Sequence, residues 1–409
     1  MKKLFALLLT VSILFSFAAF VQAEEVHLTM GSWRSDDAEK VQALLDKYKE
    51  ISGVTITYQP TQSDQYNATL RLQLDNGTGP DLYYSRSYKV GQELFDAGFS
   101  MDCSEIPGVK ENFDASALNA WQTADGKVFA VPFAAVNHVV YYNKDIFDQY
   151  KLEAPKTFEE FLALCETLKK NGITPLANGI ASNWDILECV FLGMLPNYVG
   201  GAENRAKYES GELKMNDENF VAALTDFEKM SKYLSDAYTT ITNNDGPAML
   251  GTKKAAMFID GSWTCGTFDD FGLSNWGAFA IPAPKGRQPG MCFHPDMGIT
   301  GNNATKHPEE VKAFLAWIAS PEGAQTTSSY LPKGFFPMIK AQITFDDSRV
   351  TDLLALNDGK VLDARFVWAK LLDLYTPMVD QLNALCRGET NPQAVADVFA
   401  AEQAKLLSK

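Results

Sequence analysis

From His27 onward, short segments of alternating apolar residues take turns with segments whose apolar residues recur every three to four positions. That alternation is what most limits the fold. His27 to Met30 reads as a short strand closing at Gly31. Asp36 to Ile51 sets Val41, Leu44, Leu45 and Tyr48 on one helical face, and Gly53 ends it. Val54, Ile56 and Tyr58 alternate as a strand, and Tyr66 to Leu74 is helical. After the turn Asn76-Gly77-Thr78-Gly79, Asp81 to Tyr84 is again a strand. Strand, helix and strand in this order predict an α/β layer with parallel strands.

The middle of the chain repeats the pattern. Val128 to Phe133 and Val139 to Tyr142 read as two strands, and Ala255 to Ile259 as a buried one. Thr157 with Glu160 three residues on predicts a capping box. Behind it Phe158, Phe161, Leu162, Cys165 and Leu168 share one face, and Gly172 ends the helix. His307-Pro308-Glu309-Glu310 opens another helix with acids in its first turn, which Ser320-Pro321 closes. Phe366 to Ala404 reads as helical, interrupted near Pro377 and at Gly388. With no tandem repeat and no low-complexity linker, domains joined by crossing segments are expected rather than domains strung in series.

The first residues need separate treatment. Met1-Lys2-Lys3 is basic, Leu4 to Phe20 is mostly apolar, and Val21-Gln22-Ala23 ends in small residues. This is the build of a secretory signal peptide, 1–23, so the mature chain is expected to begin at Glu24 in a periplasmic or extracellular location. An uncleaved membrane anchor is the alternative. With no cysteine near Ala23, no lipid anchor is expected. The remaining length calls for two or so domains, and 46% hydrophobic residues supply their cores. A net charge of −15 argues against nucleic acid as a partner and favours a soluble monomer. Six scattered cysteines form no CxxC pair, so neither a zinc site nor a redox motif is expected, while a disulfide stays open. No cofactor and no metal are expected.

Three runs carry a resemblance. Asp125-Gly126-Lys127-Val128-Phe129-Ala130-Val131-Pro132-Phe133 is followed by Tyr141-Tyr142-Asn143-Lys144-Asp145-Ile146-Phe147, then by Pro155-Lys156-Thr157-Phe158-Glu159-Glu160-Phe161. Gly79-Pro80-Asp81 stands before them. Lys254-Ala255-Ala256-Met257-Phe258 running into Gly261-Ser262-Trp263, and Lys306-His307-Pro308-Glu309-Glu310 leading to Ser320-Pro321-Glu322-Gly323, stand after. The series resembles the family 1 extracellular solute-binding proteins of ABC importers, the group that includes maltose-binding proteins, over nearly the whole mature chain. The resemblance implies an α/β periplasmic-binding-protein-like fold of the class II type, with two lobes, a hinge and a ligand cleft. Lobe 1 would comprise 24–135 plus 295–345, and lobe 2 136–294 plus 346–409. Crossovers would fall near Ala135–His138, Met291–His294 and Phe345–Leu353. It also implies a carbohydrate ligand and membrane permease subunits as partners.

A sugar presents flat CH faces and a rim of hydroxyls, so its site needs aromatic faces and fixed polar groups. Trp33 and Arg34 follow the first strand, at the carboxyl end where α/β sheets bind ligands. Tyr84, Ser85 and Arg86 follow the strand after Pro80-Asp81, and Asn137 and His138 fall at the first crossover. Trp184 opens a helix. Trp263 ends the Gly261-Ser262-Trp263 turn, where the resemblance implies a sugar-stacking tryptophan. Asp296 and Met297 stand where the chain re-enters the first lobe. Tyr375 is a second stacking aromatic by the same resemblance, with Trp368 as its rival. Each of these residues also has a plain structural role open to it, as a rim, core or turn residue.

Two other readings compete. A secreted carbohydrate-active enzyme would use the same aromatics with a pair of carboxylates, but GxSxG, HExxH and Walker A patterns are missing. A receptor for an acidic sugar would use Arg34 and Arg86 as a bidentate grip. Asn243-Asn244-Asp245-Gly246 lacks the downstream glutamate of a calcium loop and reads as a turn.

Overall fold

The computed structural model describes residues 25–408 apart from 36 and 364–369. The leader and Trp368 lie outside the described residues. Among the described residues the nine strands are β1 (His27–Ser32), β2 (Thr55–Pro60), β3 (Leu82–Arg86), β4 (Val131–Asn143), β5 (Thr174–Leu176), β6 (Ala255–Gly261), β7 (Trp276–Ala280), β8 (Gly290–Gly301) and β9 (Val361–Asp363). They run in the order β2-β1-β3-β8-β4-β6-β5, with β7 on β4 and β9 on β8.

At the flank the predicted βαβ units form. β1 pairs in parallel with β2 and β3, and helices α1 (Ala38–Ser52) and α2 (Ser63–Asp75) make the connections. α1 buries Val41, Leu44, Leu45 and Tyr48, and Gly53 caps it at φ 75°, a conformation glycine adopts without strain. The parallel expectation fails at the centre, where β3/β8, β8/β4 and β4/β6 are all antiparallel. The reason is that β4 and β8 are long strands that pass each other between two halves of the molecule rather than steps of one βαβ layer.

The two strands expected over 128–142 are one, β4. Asn137 and His138 break the apolar pattern and suggested a gap, but both are buried inside the strand. The Asn137 N–H donates to Ser262 Oγ at 3.2 Å and its Nδ2 to Leu353 O at 2.7 Å, so the amide nitrogens find partners within the core. The capping box is displaced by one residue. Thr157 Oγ1 accepts from Glu160 N at 3.3 Å, while the Glu160 carboxylate accepts from Lys156 N at 2.7 Å. Pro377 does not interrupt its helix. It lies in the first turn of Tyr375–Cys386, where the missing N–H is not needed. Cys103, Cys165, Cys189, Cys265 and Cys386 carry free thiols.

Apolar side chains gather into two main cores. One draws on Leu28 to Val136 and Met297 to Ile339. The other draws on Val140 to Ile281 and Leu371 to Phe399. A third cluster, with Tyr141, Phe258, Phe268, Trp276, Phe336 and Leu353, packs against the outer part of β4. Among the described residues, no helix is long and apolar enough to cross a membrane.

Candidate ligand site

Three groups of the expected residues take different places. The first lies at the carboxyl ends of β1 and β3. Trp33 is only 6% exposed. It meets Tyr66 and Tyr84 edge-on, each at 5.5 Å, and the Arg86 guanidinium lies 3.8 Å over its ring. Tyr84 is buried and packs on Phe133 at 5.7 Å, and burial holds its phenol well above the ordinary range. Arg34 is held by Asp37, Nε to Oδ2 at 2.7 Å, with its guanidinium 4.9 Å over Phe335. Ser85 is buried, and its carbonyl accepts from Trp121 Nε1 at 3.2 Å. These residues therefore form a packed wall.

The second group sits at the crossing of β4 with β8 and β6. Register places Val136 opposite His294 and His138 opposite Gly261. The His138 ring stands perpendicular to Trp263 at 5.5 Å and lies 5.6 Å from His294. Asp296 and Met297 follow on β8, both buried, with Met297 opposite Arg86.

The third group rises from the other core. Trp184 precedes a π-helical turn, Asp185–Phe191. Its ring is 6.3 Å from Trp263 at 58°, and both tryptophans are half-buried. Trp263 comes from the turn after β6 yet packs against the first core, so its ring bridges both halves. Gly261 makes room for it, since a Cβ there would lie 2.0 Å from the Trp263 ring. Tyr375 Oη donates to Glu188 Oε1 at 2.5 Å, and Glu188 N donates to Trp184 O at 2.7 Å.

Sequence reasoning missed several neighbours. Glu188 lies four residues after Trp184, a spacing that placed it on the same face. His294 faces His138 only through strand register. Behind the two tryptophans, Asp185 and Asp260 are fully buried, and desolvation pushes both carboxyls above the usual carboxylate range. No sequence signal pointed to that pair.

Two α/β halves joined by long crossing strands, with aromatic and polar side chains converging where they meet, define the periplasmic-binding-protein-like class. Residues 32–325 match the family of bacterial extracellular solute-binding proteins, and the chain belongs to it. An uncharacterized ABC transporter extracellular-binding protein of Pyrococcus horikoshii is 32% identical over 202 residues, 48% of this chain and 44% of that protein's own length. The maltodextrin-binding protein MdxE of Bacillus subtilis is 24% identical over 291 residues, 70% of this chain and 67% of that protein. Among solved structures, the bacterial solute receptor AcbH, described as having an exclusive preference for β-D-galactopyranose, superposes with a TM-score of 0.81 at 18% identity, covering 94% of this chain and 100% of that one. At that identity the likeness is one of fold.

Proposed function

We propose that this chain is the exported receptor of an ABC importer, capturing a mono- or oligosaccharide between two lobes and delivering it unchanged to the membrane permease. The lobes are 24–135 plus 295–345 and 136–294 plus 346–409, the division that the two separate apolar cores favour. Residues 1–23 direct export and are removed, and the receptor works as a monomer. The observation that carries the reading is the corner of Trp184 and Trp263. Two half-buried indoles inclined at 58° offer faces for the CH surfaces of a sugar. Glu188, held by Tyr375, supplies a fixed acceptor beside them. The maltodextrin specificity in the name of one relative supports a sugar ligand.

The other readings fare less well. Arg34 is engaged by Asp37 and Arg86 by the face of Trp33, so a grip on an acidic sugar would have to share both guanidinium groups with these packing partners. Asp185 and Asp260, which adjoin the tryptophan turns, are sealed from solvent, unlike glycosidase carboxylates that flank a cleft.

The test is a thermal titration of the mature protein with neutral and acidic sugars. A ligand at a hundred times its Kd adds about 2.7 kcal/mol of stability. The expected result is a raised Tm with a neutral sugar that is recovered intact, and loss of that rise in Trp263→Ala. A sugar recovered hydrolysed, or a full response in Trp263→Ala, overturns the proposal.

A further inference from the structure

Directly behind the two tryptophans lies a polar cluster that the binding reading does not use. Asp185 is the residue after Trp184. Asp260 stands three residues before Trp263, and the Thr264 hydroxyl, one residue past Trp263, hydrogen-bonds an Asp260 oxygen. Each carboxyl therefore fastens the turn that carries one tryptophan. Asn178 ties the two together. Its Nδ2 donates to Asp185 Oδ1 at 2.8 Å and to Ile259 O at 2.8 Å, and its Oδ1 accepts from Ile259 N at 2.9 Å. We propose that Asp185 and Asp260 are positioning residues that share one proton and thereby set the angle between Trp184 and Trp263, so that capture of a ligand at this corner is linked to proton uptake. The proposal rests on the receptor reading for its ligand, but the proton-sharing itself does not.

The partners decide where the proton sits. Asp185 accepts from Asn178 Nδ2 and from Gly179 N at 3.1 Å, groups that only donate, so both of its oxygens are served best as a carboxylate. Asp260 faces the Cys189 thiol at 2.9 Å and the Thr264 hydroxyl, and each can rotate to accept instead. The Gly261 N–H, which only donates, also serves Asp260, so the one proton belongs to the pair rather than to either carboxyl alone. The buried Asn243 side chain faces both carboxyls. The other titratable groups that face the pair are Cys189 on the π-helical turn and Tyr141 on β4, with Glu188 beside Cys189, and all are acids. Loss of the proton thus places a second negative charge in a site already crowded with acids, where burial strengthens repulsion. That repulsion pushes the end of β6 away from the turn at Asp185, and the tryptophan corner opens. Ligand affinity then falls as pH rises through the pair's titration.

The first arm of the test uses no ligand. In 5-fluorotryptophan-labelled protein, the ¹⁹F resonances of Trp184 and Trp263 should titrate together with a midpoint above the ordinary carboxyl range, while Trp33 stays fixed. Asp260→Asn, whose partners can reverse their hydrogen bonds, should abolish that titration. Cys189→Ala, which removes a donor to the same carboxyl, should move the midpoint upward, and it serves if Asp260→Asn does not fold. Flat Trp184 and Trp263 resonances, or a titration unchanged in either variant, overturn the proton-sharing pair. The second arm measures maltotriose affinity at pH 5.5 and 8. A loss of threefold or more at the higher pH, absent in Asp260→Asn, is expected. Binding that is independent of pH overturns the link to capture. Absence of maltotriose binding at both pH values counts against the receptor reading's choice of sugar and leaves the first arm to decide the pair.

Discussion

Gly261→Ala puts the geometry of the tryptophan corner to a direct test. Gly261 has φ −71° and ψ 160°, which alanine adopts freely, so any penalty must come from collision. The added Cβ would lie 2.0 Å from the nearest Trp263 ring carbon, whereas carbons in contact sit about 3.5 Å apart. Something must therefore move by about 1.5 Å. The backbone is pinned on two sides, by the pairing of Gly261 with His138 and by Tyr141 Oη, which donates to Gly261 O at 3.2 Å. The ring has to yield, weakening its contacts with His138 and Trp184, each aromatic contact worth about 0.5–1.5 kcal/mol. Overpacking of this kind costs about 1–3 kcal/mol. In a Trp263→Ala background the obstacle is gone, and the same change should be neutral or stabilising by about 0.4–1 kcal/mol through the unfolded chain. Urea unfolding of the four proteins in this cycle gives the coupling, expected to exceed about 1 kcal/mol. Equal penalties in both backgrounds would falsify the placement of the Trp263 ring over Gly261.

Two further perturbations follow from charge pairs. Arg205 stands 3.3 Å from Asp363, a carboxylate whose side chain is 4% exposed; Arg205→Ala removes a cation beside it and should lower unfolding stability by about 1–3 kcal/mol, with Arg205→Lys losing less. The Arg349 hydrogen bond, with help from Lys333, holds the Asp347 carboxyl far below its usual range. A depressed carboxyl contributes stability above the unfolded pKa of about 3.9 and loses it as pH falls. Arg349→Ala should therefore destabilise by about 0.5–1 kcal/mol at neutral pH, a discounted figure for a partly exposed pair, and by less at pH 3, as melts at the two pH values would show.

Local elements were readable because their causes are local. The buried face of α1 follows from four apolar residues at helical spacing, and the end of that helix from Gly53. Where an element's shape depends on distant residues, the sequence misleads. Asn137 and His138 looked like a break in the strand because the groups that hydrogen-bond Asn137, Ser262 and Leu353, are more than a hundred residues away. Central strand direction was misread for the same reason, since nothing within β4 shows that β8 will return beside it.

The candidate site shows the same division more sharply. Trp33, Tyr84 and Arg86 stood where α/β sheets place ligands, and the structure puts them in one wall. Their mutual packing, with Arg86 over Trp33, was invisible because it depends on α2 bringing Tyr66 alongside. Trp184 and Trp263 are 79 positions apart. They meet because Asn178, next to β5, hydrogen-bonds the backbone of β6 and also holds Asp185. A one-residue slip of β6 would turn Asp260 to the opposite face, because neighbouring strand residues face opposite sides, and would shift the turn that carries Trp263 relative to Trp184. The corner is therefore a product of register. Its most informative residues are the buried polar ones that fix that register, rather than the aromatics that composition brings to notice first.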